Sequence, residues 1–113
     1  MLNKDRPLAS LFSALGDPIR LAIVERLLAE GETAAGELSA GFDISAPAVS
    51  RHLAVLHDAG LIRRRADKQR RLYSAVPDAL RDVHGWTDRH RAFWEGGLAR
   101  LDALMETEKG PPR

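Results

Sequence analysis

Apolar residues recur along this chain at helical spacing over most of its length and alternate in one short region. Leu8, Leu11, Phe12 and Leu15 fall at i, i+3, i+4 and i+7, which predicts an amphipathic first helix after Pro7, stopped by Gly16. Asp17 directly precedes Pro18, the pattern of an N-cap followed by proline at the first helical position, where a missing N–H costs nothing. Ile19 to Ala29 is apolar nearly all round, relieved by Arg20, Glu25, Arg26 and the following Glu30, so it reads as a central helix covered on several sides and ended by Gly31. Thr33 to Gly41 reads as a short helix capped by Thr33, with Leu38 as its main core residue. Phe42 and Ile44 read as core contacts flanking a turn. Ser45 then caps a helix that runs to Ala59, with Gly60 just past its end. Its Val49, Leu53 and Leu56 form one buried stripe, while Ala46, Pro47, Ser50, Arg51 and Ala54 on the other side are small, polar or basic.

The pattern then changes. Leu61–Arg65 and Arg71–Val76 read as two short strands joined by the polar Asp67-Lys68-Gln69. Pro77 breaks the second strand, and Asp78 can cap a last long helix reaching to about Thr107. Its stripe is Leu80, Val83, Trp86, Phe93, Trp94, Leu98, Leu101, Leu104 and Met105. Gly85, Gly96 and Gly97 each weaken that helix by roughly 1 kcal/mol relative to Ala, and read as points where another helix packs closely. Gly110–Arg113 reads as a frayed tail. The expected fold is mainly α with a small β-hairpin (α+β), in the order α-α-α-α-β-β-α and without internal repeats.

Composition narrows the class. A length of 113 residues fits one small domain, whose limited core would benefit from a partner subunit. With 44% hydrophobic and 29% charged residues, the chain reads as soluble and globular. The absence of cysteine excludes disulfides, thiol redox sensing and thiolate metal sites. No apolar run approaches the ~20 residues of a membrane span and the N-terminus has no signal-like segment, so the expectation is a cytoplasmic protein without a membrane partner.

Net charge is only +1, but its distribution is uneven. Between Ser45 and Val76 stand Arg51, Arg63, Arg64, Arg65, Lys68, Arg70 and Arg71 against Asp58 and Asp67, a local net of +5. The remainder has ten basic and fourteen acidic residues, a net of −4. A basic middle in an acidic frame points to a polyanion partner; the plainer alternative is a solvated charged surface.

Two short helices joined by a tight turn, the second followed by a basic hairpin, make a winged helix-turn-helix spanning 1–113. The helix-turn-helix covers about 33–59 and the wing about 61–76. A helix with one buried stripe and a small, polar opposite face can enter a DNA major groove, where Ser50 and Arg51 can donate to bases or phosphates. The hairpin cations can neutralise backbone phosphates, although strand alternation prevents all of them from meeting one duplex.

These residues carry a resemblance. Leu15-Gly16-Asp17-Pro18-Ile19-Arg20-Leu21, Glu37-Leu38, Ser45-Ala46-Pro47-Ala48-Val49-Ser50-Arg51-His52-Leu53-Ala54-Val55-Leu56, Ala59-Gly60-Leu61-Ile62 and Arg71-Leu72-Tyr73 are similar to the corresponding stretches of the ArsR family of bacterial repressors. The resemblance covers about residues 8–107. It implies a homodimeric repressor binding double-stranded DNA at an inverted repeat, with the last helix, about 78–107, serving dimerisation together with the first. Recognition positions carried over are Ser45, Ala46, Pro47, Ser50, Arg51 and His52, with Arg64, Lys68, Arg70 and Arg71 expected on phosphates. Pro47 replaces the polar residue common in the family. His52 has a plainer reading as a helix-edge residue packing under the wing, Ser45 as a simple cap, and His57 as a surface residue near the helix end. The expected dimer interface is Leu8, Leu11, Phe12, Trp86, Phe93, Trp94, Leu98 and Leu101.

Many relatives of this kind sense metals. Their thiolate site corresponds to Ala34-Ala35-Gly36-Glu37-Leu38, where neither ligand position can ligate. Asp82, His84, Asp88, His90 and Glu95 offer oxygen and imidazole on the last helix. However, Asp82 and His84 lie about one turn too late relative to Tyr73, and a closed zinc site needs about four placed ligands. Trp86 with Arg91-Ala92-Phe93-Trp94-Glu95, Leu98, Leu101-Asp102 and Leu104 resembles the family's metal-independent branch. The expectation is no metal and no cofactor; the alternative is a metal-responsive repressor using those Asp and His residues. Large aromatics at helical spacing read first as core or interface, and second as a pocket for an unknown organic effector. A small hydrolase using His84 or His90 with Asp82 or Asp88 lacks a recognisable nucleophile–base setting, and the intact basic wing argues against a winged helix that binds only protein.

Overall fold

The computed structural model describes residues 7–109, so the expected tail at Gly110–Arg113 lies outside the described residues. The elements are α1 (Leu8–Leu15), α2 (Pro18–Glu30), β1 (Thr33–Ala34), α3 (Ala35–Ala40), α4 (Ala46–Asp58), β2 (Ile62–Asp67), β3 (Arg70–Ala75), α5 (Pro77–Arg89) and α6 (Arg91–Lys109). The architecture is mainly helical with a small antiparallel hairpin, as the periodicities indicate. The chain divides into two compact units, one through Val83 and one from His84 onward, with the division falling inside α5.

Local chemistry sets the helix ends of the first unit. The Asp17 carboxylate accepts from the N–H of Ile19 at 2.9 Å and of Arg20 at 3.1 Å, with Pro18 at the first helical position. Gly31, at φ 80°, ends α2 in a conformation that disfavours side chains. Ser45 Oγ accepts from the Ala48 N–H at 3.2 Å to start α4. At the far end Gly60 takes φ 82°, its N–H bonds to the His57 carbonyl, and the Leu61 N–H reaches back to Leu56 at 3.0 Å. This Schellman closure turns the chain from α4 straight into the hairpin.

Leu11, Ile23, Val24, Leu27, Leu38, Val49, Leu53, Leu56, Leu61, Ile62, Tyr73 and Ala79 form one buried cluster that joins α1–α4, the hairpin and the start of α5. Each fully buried leucine contributes roughly 1.5–3 kcal/mol by transfer from water. The stripe Val49, Leu53 and Leu56 is buried as its spacing predicts.

Several details correct the sequence reading. Thr33 and Ala34 form a strand on the outer side of β3, in the order β1-β3-β2, with Thr33 opposite Tyr73 and Ala34 opposite Leu72. Thr33 therefore caps no helix; its hydroxyl donates to the Gly31 carbonyl, and α3 begins only at Ala35. A two-residue strand has no periodicity to betray it. The hairpin strands extend further toward their tip than expected, leaving only Lys68 and Gln69 as the loop. Ile44 is exposed, and α2 leaves Leu21 and Leu28 exposed on one face, so it is not covered all round. Leu11 is 0% exposed within the single chain, which removes it from the expected dimer surface.

In the second unit, the expected continuous last helix is interrupted at His90. The His90 N–H bonds to Thr87, while its Nδ1 donates at 2.7 Å to the Trp86 carbonyl, the acceptor that a continuous helix would give to its backbone. The imidazole also stacks on Trp86 at a centroid distance of 4.6 Å. Phe93 and Trp94 meet edge to face at 5.1 Å. Added Cβ atoms at Gly85, Gly96 and Gly97 would meet only arginine side-chain ends of the same helices, so among the described residues the close helix contact expected there is not made.

Candidate nucleic-acid interface

The buried stripe of α4 forces its other side outward. Ser45, Ala46, Pro47, Ser50, Arg51 and Ala54 are all exposed, and Pro47 occupies the first turn, where proline leaves the helix intact. Small side chains at the start of α4 allow close approach of its backbone, where Pro47 has no N–H and the Ala48 N–H is already taken by Ser45. Arg51 extends from the same exposed side.

His52 is placed differently. Its ring is half-buried, with Nδ1 3.3 Å from Arg20 Nη1 and 3.8 Å from Asp17 Oδ2. Arg20 itself donates from Nε to the Ala14 carbonyl at 2.7 Å and from Nη2 to Ser13 at 3.5 Å. The two backbone N–H groups and the nearby positive charge of Arg20 and of His52 when protonated hold the Asp17 carboxyl below the usual carboxylate range, led by the Arg20 N–H and opposed by desolvation. This cluster was not legible as a site, because Asp17 and Arg20 present themselves in sequence only as helix-capping residues.

Pairing register sorts the wing cations by face. Arg64 lies opposite Tyr73 and Arg71 opposite Ala66, on one side of the pleat. Arg63, opposite Ser74, Arg65, opposite Leu72, and Arg70, opposite Asp67, lie on the other. Arg65 is held by Glu32 through two 2.8 Å bonds and Arg70 approaches Glu37 at 3.4 Å. Among the described residues, Arg51, Arg63, Arg64, Lys68 and Arg71 make no ion pair. The register thus brings Arg64 and Arg71 together and sets Arg70 apart from them. Glu32 and Glu37 were missed as partners because each is 33 residues from its arginine and the intervening β1 pairing carries no sequence signal. An arginine of α2 fixes the helix preceding the turn: Arg26 Nη1 donates to the Glu37 carbonyl at 3.0 Å.

Two of the five polar residues weighed as metal ligands, Asp88 and His90, have other partners. Asp88 pairs with Arg91 at 2.6 Å, and His90 is engaged by Trp86. Among the described residues, no three His, Asp or Glu side chains converge as a ligand set. A groove of about 470 Å³ is lined by His84, Trp86, Thr87, Asp88, Arg91, Trp94 and Glu95. No helix among the described residues is long and apolar enough to cross a membrane.

Comparison with known proteins agrees with this geometry. The sequence model described as "Bacterial regulatory protein, arsR family" matches residues 17–64, which contain α2 to the start of the wing. The chain is 41% identical over 97 residues to the HTH-type transcriptional regulator Rv2034 of Mycobacterium tuberculosis, covering 86% of this chain and 87% of that protein. It is 35% identical over 77 residues to the transcriptional repressor SdpR of Bacillus subtilis, covering 68% and 84%. A crystal structure of an ArsR family transcriptional regulator superposes with a TM-score of 0.71 at 31% identity, over 78% of this chain and 96% of that one. These are regulators and not enzymes, and the chain belongs to the ArsR family of DNA-binding transcriptional regulators.

Proposed function

We propose that the protein is a homodimeric repressor whose two α4 helices read an imperfect inverted repeat, with half-site centres one helical turn, about 10–10.5 bp, apart. The observation that carries this reading is the exposed start of α4, where Ser45, Ala46, Pro47, Ser50 and Arg51 stand clear of the core. Arg64, Lys68 and Arg71 then neutralise phosphates, and Arg70 joins them where Glu37 yields to the stronger field of DNA. The whole chain acts as one winged helix-turn-helix regulator. Leu8 and Phe12 on α1, with Trp86, Phe93, Trp94, Leu98 and Leu101 in the C-terminal unit, supply the apolar dimer surface. In support, Phe93 is 63% and Leu98 61% exposed in the single chain, more apolar surface than a lone helix keeps wet without cost. Repression is independent of metal, since Ala34 and Gly36 stand where the resemblance places thiolates, and the groove beside Trp86 and Trp94 suits an organic effector.

Footprinting on the DNA upstream of the protein's own coding region, with sedimentation at micromolar concentration, tests this reading. A protected inverted repeat and a dimer are expected. Protection of a single unrepeated site, or a monomer, contradicts it.

A further inference from the structure

His52 stands immediately after Arg51 on α4, yet its ring is turned to the junction of α1 and α2. Arg20 reaches it from there, with Nε fixed on the Ala14 carbonyl, so that Nη1 is aimed at His52 Nδ1 from 3.3 Å. A guanidinium has only donors, so this contact is a hydrogen bond only when Nδ1 accepts, which takes the neutral ring with its proton on Nε2. We propose that His52 is a positioning residue for DNA recognition: its neutral imidazole, accepting from Arg20, fixes α4 against the α1–α2 junction, and protonation releases α4 and weakens operator binding. The proposal rests on the reading of α4 as the operator-reading helix.

The surroundings decide the sign. The charged groups that face the ring are Arg20 and Asp17, both from the start of α2. The end of α1 adds the carbonyls of Ser13 and Ala14, and these already accept from Arg20. Ala48, Val49, Val55 and Leu56, a turn away on α4 itself, are apolar. Among the described residues no other carboxylate pairs with the ring. A proton on Nδ1 therefore meets a second cation at hydrogen-bond distance. The carboxylate oxygen that faces the ring is Asp17 Oδ2, 3.8 Å away and already accepting from the first turn of α2. An Nδ1–H turned to Asp17 can no longer accept from Arg20. Direct contact of His52 with a phosphate gives the opposite sign, since a protonated ring binds phosphate better.

The test has two arms on the full chain. In the first, fluorescence anisotropy measures affinity for the footprinted DNA from pH 5.5 to 8 at constant ionic strength. Affinity of the parent protein is expected to fall several-fold toward acid. His52→Asn keeps an acceptor where Nδ1 stood and cannot titrate, so it should retain the pH 8 affinity and show a flat profile. His52→Leu should bind about tenfold more weakly at pH 8, also with a flat profile. Affinity that rises toward acid, or a His52→Asn variant with the parent's slope, overturns the proposal, as does a folded His52→Leu protein with full affinity. In the second arm, ¹⁵N NMR of the imidazole in the DNA-free protein should find the Nε2–H tautomer at pH 8. An Nδ1–H tautomer overturns the proposal on its own. Absence of operator binding by the parent protein at every pH, with the Nε2–H tautomer present, rejects the operator reading, and the role proposed for His52 with it.

Discussion

Arg65 holds Glu32 through two parallel hydrogen bonds of 2.8 Å, Nε to Oε2 and Nη2 to Oε1. The pair ties the middle of β2 to the segment entering β1, across the face of the intervening β3. The Arg65 hydrogen bonds, assisted by its charge, hold Glu32 below the usual carboxylate range, and Glu32 in turn raises Arg65. One wing cation is thereby neutralised before any DNA arrives, which concentrates the free charge on Arg63, Arg64, Lys68 and Arg71.

Removing that neutralisation should strengthen general DNA binding. Glu32→Gln keeps the side-chain shape and frees one positive charge, so affinity for random DNA should rise. The slope of log K against log salt should steepen by up to about one. The pair is exposed, so little change in melting temperature is expected. An unaltered salt slope would show that Arg65 lies out of reach of the duplex.

Lys68 sits at the hairpin tip with φ 59°, a left-handed conformation that costs a residue with a Cβ about 1 kcal/mol. Lys68→Gly should therefore leave the melting temperature unchanged or slightly raised, while lowering affinity alike on operator and random DNA. Loss confined to the operator would make Lys68 a sequence-reading residue and contradict its assignment to phosphate.

Asp17 gives an acid dependence whose sign is fixed. Its carboxyl titrates lower in the folded chain than in the unfolded one, where the usual Asp value is about 3.9. The stabilisation is complete above the unfolded value and is lost as pH falls through the folded one. Chemical denaturation between pH 6 and 3 should therefore show a steeper acid loss for the parent protein than for Asp17→Asn. Parallel curves would mean that the carboxylate charge contributes nothing to the cap.

Much of this was legible in sequence because short-range rules govern it. Asp17-Pro18 and Ser45 announced helix starts, Gly60 announced the turn into the wing, and the Val49, Leu53 and Leu56 stripe determined which side of α4 faces out. What was illegible depends on groups distant in the chain. The β1 pairing, the Glu32–Arg65 grip and the turning of His52 toward Arg20 all join residues about thirty or more positions apart. The break at His90 was hidden for another reason. Its apolar stripe continues through it, and only a side chain taking the Trp86 carbonyl interrupts the helix.

Zinc should leave operator affinity unchanged. Release by a ligand requires several kcal/mol of preference for the unbound conformation, and Asp88 and His90 are already committed to Arg91 and Trp86. Anisotropy with stoichiometric zinc, cobalt or nickel checks this. A tenfold metal-induced loss that disappears in the His84→Ala, His90→Ala double variant would restore a metal sensor.

Base reading by the exposed face of α4 is tested most directly at Arg51. Affinities of the parent protein and Arg51→Ala should be measured side by side on the footprinted operator and on a scrambled duplex at one salt concentration. A bidentate guanine contact predicts a loss of roughly 1–3 kcal/mol on the operator, little change on the scrambled duplex, and relaxed discrimination between them. Equal weakening on both duplexes would reduce Arg51 to a phosphate contact and contradict base reading by α4.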